Sequence, residues 1–501
     1  MRNGTWAIVA TVCVALGGCH KQEDARSGGE SARPTEPSAP PAVAAPAKQP
    51  PAAELAVPEL GVDQVRRFSY PYGEGAAAFA KAVTAYKAKP RNWAGVRTSS
   101  EAALAKDPYH LDAHRLLAAA LAQSGAFGDA APHVIAAMAA DWQKQGPTAL
   151  ADPDLAGLMA SPVGEQLKAT AAKIKDRFLV KAAAGVLMVG RRSAFKLPDK
   201  PGPQYATPRG ELYAYDRETK RFLRLSQTDH SVGGFLASPS GKELVLVGYD
   251  QIEQSADDTG KAINKDEPPL IGRAFVMVLD SATFEPLGKR ATLPKGHTVS
   301  VAYGTADRLL VVVMARHSWY ERDANDQWFT IDTSTGTTTK TEMAGTFSAV
   351  SISADSGSFL SSDAGAILAA NDGNYKPDKI ATAAGGQVEA PDSKPIDATT
   401  VLTSPDNASV AFATWVDPCN QGDAPSLYVA STEGKGFRHV LTGRSRFVAR
   451  WVDNHTLVYE DPEGAVRFYD LIAGREILRL GDKGGLGLAF LSASAAPPCN
   501  E

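Results

Sequence analysis

The stretch Gly233–Tyr249, GGFLASPSGKELVLVGY, decides the fold. Two short apolar runs flank Ser-Pro-Ser-Gly-Lys. The runs are rich in β-branched and aromatic residues, and the segment between them holds Pro and Gly, which favour a tight turn. The unit therefore predicts strand, turn, strand. It recurs as VSVAYGTADRLLVVVMA (299–315), FSAVSISADSGSFLSSD (347–363), TTVLTSPDNASVAFATW (399–415) and RFVARWVDNHTLVYED (446–461). Further strand-like runs follow these pairs, among them AFVMVLD, QWFTIDT, SLYVAST and VRFYDL, each ending near Asp or another polar residue.

A four-strand unit repeating at roughly 40 to 65 residues is the pattern of a β-propeller. The expectation is a mainly β chain, with a propeller over 177–493 and a tail over 494–501. Six blades are counted, with seven as the alternative. GLGLAFLSA (485–493) is expected to complete the first blade and close the ring, since an open ring would leave sheet edges unpaired. The repeats resemble WD-repeat and TolB-type propellers. In KGHTVSV, Gly296 and His297 resemble the Gly-His opening of a WD repeat. In VRFYDLIAGREILRL, Tyr469-Asp470 stands where that family has Trp-Asp. Asp216, Asp280 and Asp332 occupy similar places. The resemblance implies that these carboxylates orient tight turns and hydrogen bonds between blades.

The N-terminus carries a different signal. Arg2 precedes the apolar run Trp6–Leu16, which is too short to span a bilayer. VALGGCHKQ (14–22) resembles the lipobox of bacterial lipoproteins, with small residues before Cys19. The resemblance implies a signal peptide over 1–18, a lipidated Cys19 and stable anchoring by several acyl chains. His20 in place of Asp leans the sorting toward the outer membrane, so a cell-envelope location is expected. Residues 19–60 are rich in Pro and Ala and have few large apolar side chains, which predicts a disordered, semi-rigid tether. At ~3.1 Å per residue it reaches on the order of 100 Å.

Between 70 and 175 the period becomes helical. AHRLLAAALAQSGAFGDAAPHVIAAMAADW (113–142) places Leu116, Leu117, Leu121, Ile135, Met138 and Trp142 at helix-face spacing, with Gly125 at a turn. Ala113, Leu116, Leu117, Ala118, Leu121, Gly125, Phe127 and Ala130, with Pro108 ahead of them, resemble a tetratricopeptide repeat. A generic helical bundle is the other reading. One and a half repeats bury too little to stand alone, so this segment is expected to pack on the next domain.

The net charge of −4, with both signs interspersed, excludes a basic nucleic-acid stripe. After signal removal the cysteines are Cys19, Cys419 and Cys499. With Cys19 lipidated, an oxidising compartment favours a Cys419–Cys499 disulfide. The alternative is a metal or redox site, which no CxxC or histidine cluster supports. The eight residues from Ser492 to Cys499, fully extended, reach at most ~26 Å, just enough for the bond.

Long insertions at about 194–209, 250–272, 316–326 and 416–425 fall between second and third strands. They should emerge on one face, together with His230 and His297. Arg316, His317, Trp319 and Tyr320 in RHSWYERD mix charge and aromatic surface as recognition sites do. These six residues form the expected interaction surface. Asp257 and Asp258 read as a solvated loop. SADSGSF (353–359) resembles the Asp box of sialidase propellers but occurs once, and a turn is preferred. No catalytic motif, metal-ligand spacing or cofactor loop is found.

The leading expectation is a lipid-anchored envelope protein that binds a protein partner through its helical segment and the loop-rich face. A propeller hydrolase or lyase acting on sugars, lactones or peptides is one alternative. A structural subunit of an envelope assembly is the other.

Overall fold

The structure, a computed structural model, describes residues 55–480 apart from 69–73, 191–210, 229–230, 239, 254–269, 296–297, 306–307, 315–324, 326, 342–377, 382–385, 416–423, 444–447 and 461–464, together with 488–489. Cys19, Cys419, Cys499, the signal segment and residues 353–359 lie outside the described residues.

Helices come first: α1 (Ala76–Lys87), α2 (Trp93–Lys106), α3 (Leu111–Gln123), α4 (Phe127–Ala140), α5 (Trp142–Ala151), α6 (Ala156–Met159) and α7 (Pro162–Ala184). The α3–α4 hairpin turns at Gly125, whose φ of 77° favours glycine. Its inner face holds Leu117, Leu121, Ala130, Val134 and Met138, all buried. Ser161 caps α7 by accepting from Gly164 N, and Pro162 occupies the first turn.

Strands follow in antiparallel sheets. The first sheet contains β1 (Val186–Gly190), β2 (Leu212–Asp216) and β3 (Arg221–Arg224). The second is β4 (Ser231–Ala237), β5 (Glu243–Glu253), β6 (Leu270–Asp280) and β7 (Ala291–Leu293). The third is β8 (Thr298–Thr305), β9 (Arg308–Met314), β10 (Gln327–Asp332) and β11 (Thr338–Thr341). β12 (Lys379–Ala381) and β13 (Gln387–Glu389) form a two-stranded sheet. Then come β14 (Ile396–Thr403), β15 (Ser409–Thr414), β16 (Ser426–Ser431) and β17 (Arg438–Thr442). The last four-strand run is β18 (Val448–Trp451), β19 (Thr456–Glu460), β20 (Val466–Asp470) and β21 (Arg475–Leu480). The C-terminal β22 (Leu488–Ala489) returns to the first sheet, with Val189 opposite Ala489 and Gly190 opposite Leu488.

The opening stretch of the sequence is the β4–β5 hairpin, with Ala237 opposite Leu244. Its turn explains the residues. Ser238 Oγ accepts from Glu243 N at 3.0 Å, and Gly241 takes φ 69°. The β14–β15 turn repeats the device: Ser404 Oγ accepts from Ser409 N at 2.9 Å, and Asn407 takes φ 58°. Ser-Pro-x-Gly/Asn thus specifies the same hairpin twice.

On either side of the break between β11 and β12, neighbouring sheets pack in sequence order. Phe235 and Leu246 of the second sheet share a core with Leu212 and Leu223 of the first. Val245 and Val276 pack with Val311 and Ile331 of the third. Ile380 and Val388 pack with Val401 and Phe412. Ala411 and Val429 pack with Trp451 and Leu457, and Trp451 Nε1 donates to Leu402 O at 3.1 Å. Val458 and Phe468 of the β18–β21 sheet pack on Met188 and Tyr215 of the first sheet. Successive four-stranded meanders whose last member returns to the first fit a β-propeller.

Three sequence boundaries are corrected. The helical segment runs past 175 to Ala184, because Phe178 and Ala182 continue the buried face of α7. Gly185 then makes the switch to strand; a Cβ there would stand 2.8 Å from Ala214 Cβ. The tether ends before 60, since Leu60 is buried and Leu55 and Val57 pack against the core. Val62 exchanges hydrogen bonds of 3.0 and 2.7 Å with Phe222 on the edge strand β3. Gly61 between them has φ 76°, and a Cβ there would meet Phe222 O at 2.4 Å. Finally, the 250–272 insertion begins as ladder: β5 and β6 continue pairing to Glu253 and Leu270.

Helices and sheets belong to one compact unit from Glu54 onward. The core that holds Leu121, Met138, Leu167 and Phe178 also holds Phe235, Leu244 and Phe284. The helices therefore bury on the first two sheets the face they cannot bury against each other. Among the described residues no helix is long and apolar enough to cross a membrane.

Candidate functional site

Among the described residues, a small polar cleft lies where the N-termini of α3 and α5 meet the segment Val65–Phe68. Its enclosed space is about 20 Å³, room for about one water molecule. His110 caps α3: its Nδ1 accepts from Ala113 N at 3.3 Å. Asp141 caps α5 by accepting from Lys144 N at 3.4 Å. Both caps line the cleft, with Gln145 one turn into α5.

Behind the cleft, Asp141 accepts from Arg224 Nε at 3.1 Å and from a second guanidinium nitrogen, with both residues buried. The Arg224 guanidinium sits 5.4 Å from the Phe68 ring, and Phe68 stacks on Tyr213 at 5.4 Å. Arg67 bridges Asp63 and Asp107, the latter at 3.0 Å, and lies 4.8 Å from the centre of the Tyr109 ring. Lys144 reaches Asp112 at 3.6 Å. Each carboxylate of the cleft wall thus faces a cation.

Three histidines stand on the helical side. Burial pushes His110, His114 and His133 below the ordinary imidazole value. His114 Nε2 is 2.9 Å from Pro108 O, so it carries the proton and donates. His114 Nδ1 is then an acceptor, and His133 Nδ1 donates to it at 2.9 Å. Among the described residues no three His, Cys, Asp or Glu groups are placed to hold a metal ion.

Glu211 adjoins this network on the sheet side. Burial pushes its carboxyl from 4.5 up to about 7, opposed by Ser226, Thr228 and Arg224. It accepts from Ser226 Oγ at 2.5 Å and Thr228 N at 2.8 Å. A raised folded value means stability is fully present below the unfolded value and is lost as pH rises through the folded one. Glu211→Gln should therefore gain stability relative to the parent protein, on the order of 3 kcal/mol, as pH rises from 4.5 past 7. Urea titrations of both proteins at pH 5 and 8 check this; a pH-independent difference would refute the burial account.

None of the six residues expected to form the interaction surface is brought into view. His230, His297, Arg316, His317, Trp319 and Tyr320 lie outside the described residues, as do Asp257 and Asp258. The turn aspartates are described. Asp216 accepts from Glu218 N at 2.9 Å, Asp280 from Thr283 N at 2.7 Å, Asp332 from Thr335 N at 2.9 Å and Asp470 from Ile472 N at 2.7 Å. Each ends a third strand and orders the turn into the fourth. Backbone and hydroxyl donors hold Asp280 and Asp332 below the usual carboxylate range. The cleft residues were missed by sequence reasoning. One signal was present: Asp141 directly before Trp142, an N-cap pattern at a helix start.

No family model matches the chain, and no curated protein matches it. Solved structures do. TolB from Acinetobacter baumannii is 11% identical, with a TM-score of 0.26, over 66% of this chain and 73% of that one. An acylaminoacyl peptidase from Pyrococcus horikoshii is 14% identical, with a TM-score of 0.28, over 56% of this chain and 42% of the peptidase. The β-propeller domain of Cps50 (Swd1) from Myceliophteria thermophila is 8% identical, with a TM-score of 0.24, over 54% and 79% of the two chains. The fold described above rests on strand order and pairing.

Proposed function

We propose that this chain is a lipid-anchored envelope protein that binds a protein partner, its six-bladed propeller and tetratricopeptide-like helices acting as one rigid platform. The observation that carries the reading is the shared core. Helix residues Leu121, Met138 and Phe178 are buried together with sheet residues Phe235 and Leu244. Helical and loop-rich surfaces on one body can engage a partner without the ordering cost of two loosely linked domains. Six blades follow from counting the β12–β13 pair as part of a fourth blade between the β8–β11 and β14–β17 sheets. The β22–β1 pairing, which brings the C-terminal strand to the first sheet, supports this count. Lipidation of Cys19 and the Pro/Ala-rich tether would hold this body away from the membrane.

The experiment labels cells with a clickable fatty acid and places a photo-crosslinking residue at Trp319 in one strain and at Val180 in another. Val180 projects from α7 and is 71% exposed. The expected result is fatty-acid label on the parent protein, loss of label in Cys19→Ala, and a discrete protein adduct from at least one position. A chain that takes no label, or that gives no adduct from either position, would sink the proposal.

A further inference from the structure

We propose that His114 and His133 form a two-nitrogen site for a divalent cation of the zinc class, which ties α3 to α4. The site is independent of the lipid anchor and of the partner-binding reading.

The two side chains face each other across the α3–α4 hairpin. Their Nδ1 atoms are 2.9 Å apart and their ring centres 5.1 Å apart, with the ring planes inclined at 37°. Both residues keep part of their surface in solvent. Zinc binds imidazole nitrogen at ~2.0–2.1 Å in tetrahedral geometry, which sets two such nitrogens roughly 3.3 Å apart and their ring centres roughly 5 Å apart. The rings therefore need only pivot, opening the gap between the nitrogens by about 0.4 Å while their centres stay in place.

The proton positions favour ligation. His114 Nε2 donates to Pro108 O at 2.9 Å, which puts the lone pair of that ring on Nδ1. A ligating imidazole almost always donates its other ring N–H to a carbonyl, a carboxylate or water, and Pro108 supplies that partner in advance. In the paired state His133 Nδ1 carries a proton and donates to His114 Nδ1. When a cation enters, that proton passes through water to Nε2 of the same ring. No proton is lost overall, and both Nδ1 lone pairs then serve the cation.

Ligand type selects the cation. Imidazole suits Zn²⁺, Cu²⁺ and Ni²⁺, whereas Mg²⁺ and Ca²⁺ prefer carboxylate and carbonyl oxygens. The carboxylates of Glu101 on α2 and Asp129 on α4 act electrostatically on His133, and Asp107 acts on His114. Their negative field favours a cation at the pair. Among the described residues no third ligand is in place, so water fills the remaining positions. Such an open site binds reversibly and more weakly than a closed four-ligand structural site.

The test titrates the whole folded chain, without its signal segment and with its thiols alkylated, with Zn²⁺ and separately with Mg²⁺. The readouts are calorimetry and the imidazole nitrogen–proton spectrum. Zinc should bind with a dissociation constant below about 100 µM, at least tenfold tighter than magnesium. At saturation His133 should exchange its Nδ1 proton signal for an Nε2 one, while His114 keeps its Nε2 proton. Zinc at a hundredfold excess over the dissociation constant should raise the melting temperature by about 2 °C or more. His133→Ala removes one ligand and keeps a strong helix former, and should bind zinc at least tenfold more weakly. His114→Ala should bind as weakly. The inference is overturned if His133 keeps its proton on Nδ1 at saturating zinc, if both variants bind zinc like the parent protein, or if magnesium binds as tightly. A melting temperature that zinc leaves unchanged would also overturn it. The spectrum is read on the parent protein, so it decides the matter even where a variant fails to fold. These failures leave the fatty-acid label and crosslinked adducts unaffected.

Discussion

Asp141→Ala should destabilise the fold by about 3–5 kcal/mol, the cost of stranding a buried charge. Asp141 and Arg224 are both buried, and Arg224 lies behind the Phe68 ring. Removing the carboxylate leaves the guanidinium with the more remote charge of Glu211, which already feels Arg224. It also removes the cap from α5, worth roughly 1 kcal/mol of the total. The double variant Asp141→Leu/Arg224→Met removes both charges and should recover most of the loss, because a buried pair contributes little beyond an apolar match. Denaturation in urea measures all three proteins. A loss below about 1 kcal/mol for the single change would show that Arg224 is solvated in the folded chain.

Phe178→Ala should cost about 3–5 kcal/mol through the cavity it leaves. Phe178 is 2% exposed, and its ring meets Phe284 edge-on at 6.4 Å between centres. It joins α7 to the turn after β6, so the loss falls on the seam between helices and sheets. Neither side can replace the burial alone. Hydrogen exchange should consequently speed up in α4 and α7 and in β2, and spare β15 and β16, whose core is separate. A small loss confined to α7 would mean that the helices are only lightly attached to the sheets.

Much of the fold was legible in local chemistry. The β4–β5, β8–β9, β14–β15 and β18–β19 hairpins all follow the strand–turn–strand units read from the sequence. Gly125, Asp216, Asp280 and Asp332 act in the turns where they were expected. The boundary at 175 was misplaced because strand-like residues such as Phe178, Leu179 and Val180 sit in a helix whose inner face is set by packing. The segment Leu60–Phe68 has no periodicity to betray it. Its partner, Phe222, lies on a distant strand, and Arg221 reaches Gly61 O across 160 residues.

The cleft illustrates the same divide. Asp141 and Arg224 are 83 residues apart, and Gln145 and His110 come from different helices. Nothing local marks them as neighbours. Strand alternation, turn residues and helix periodicity act over a few residues, so the amino-acid order by itself determined the hairpins, their turns and the helical stretch. Burial is a property of all that surrounds a group. Only the tertiary structure could decide that a carboxyl such as Glu211 loses its water, that an imidazole keeps its proton on Nε2, and that two polar groups from separate helices line one cleft.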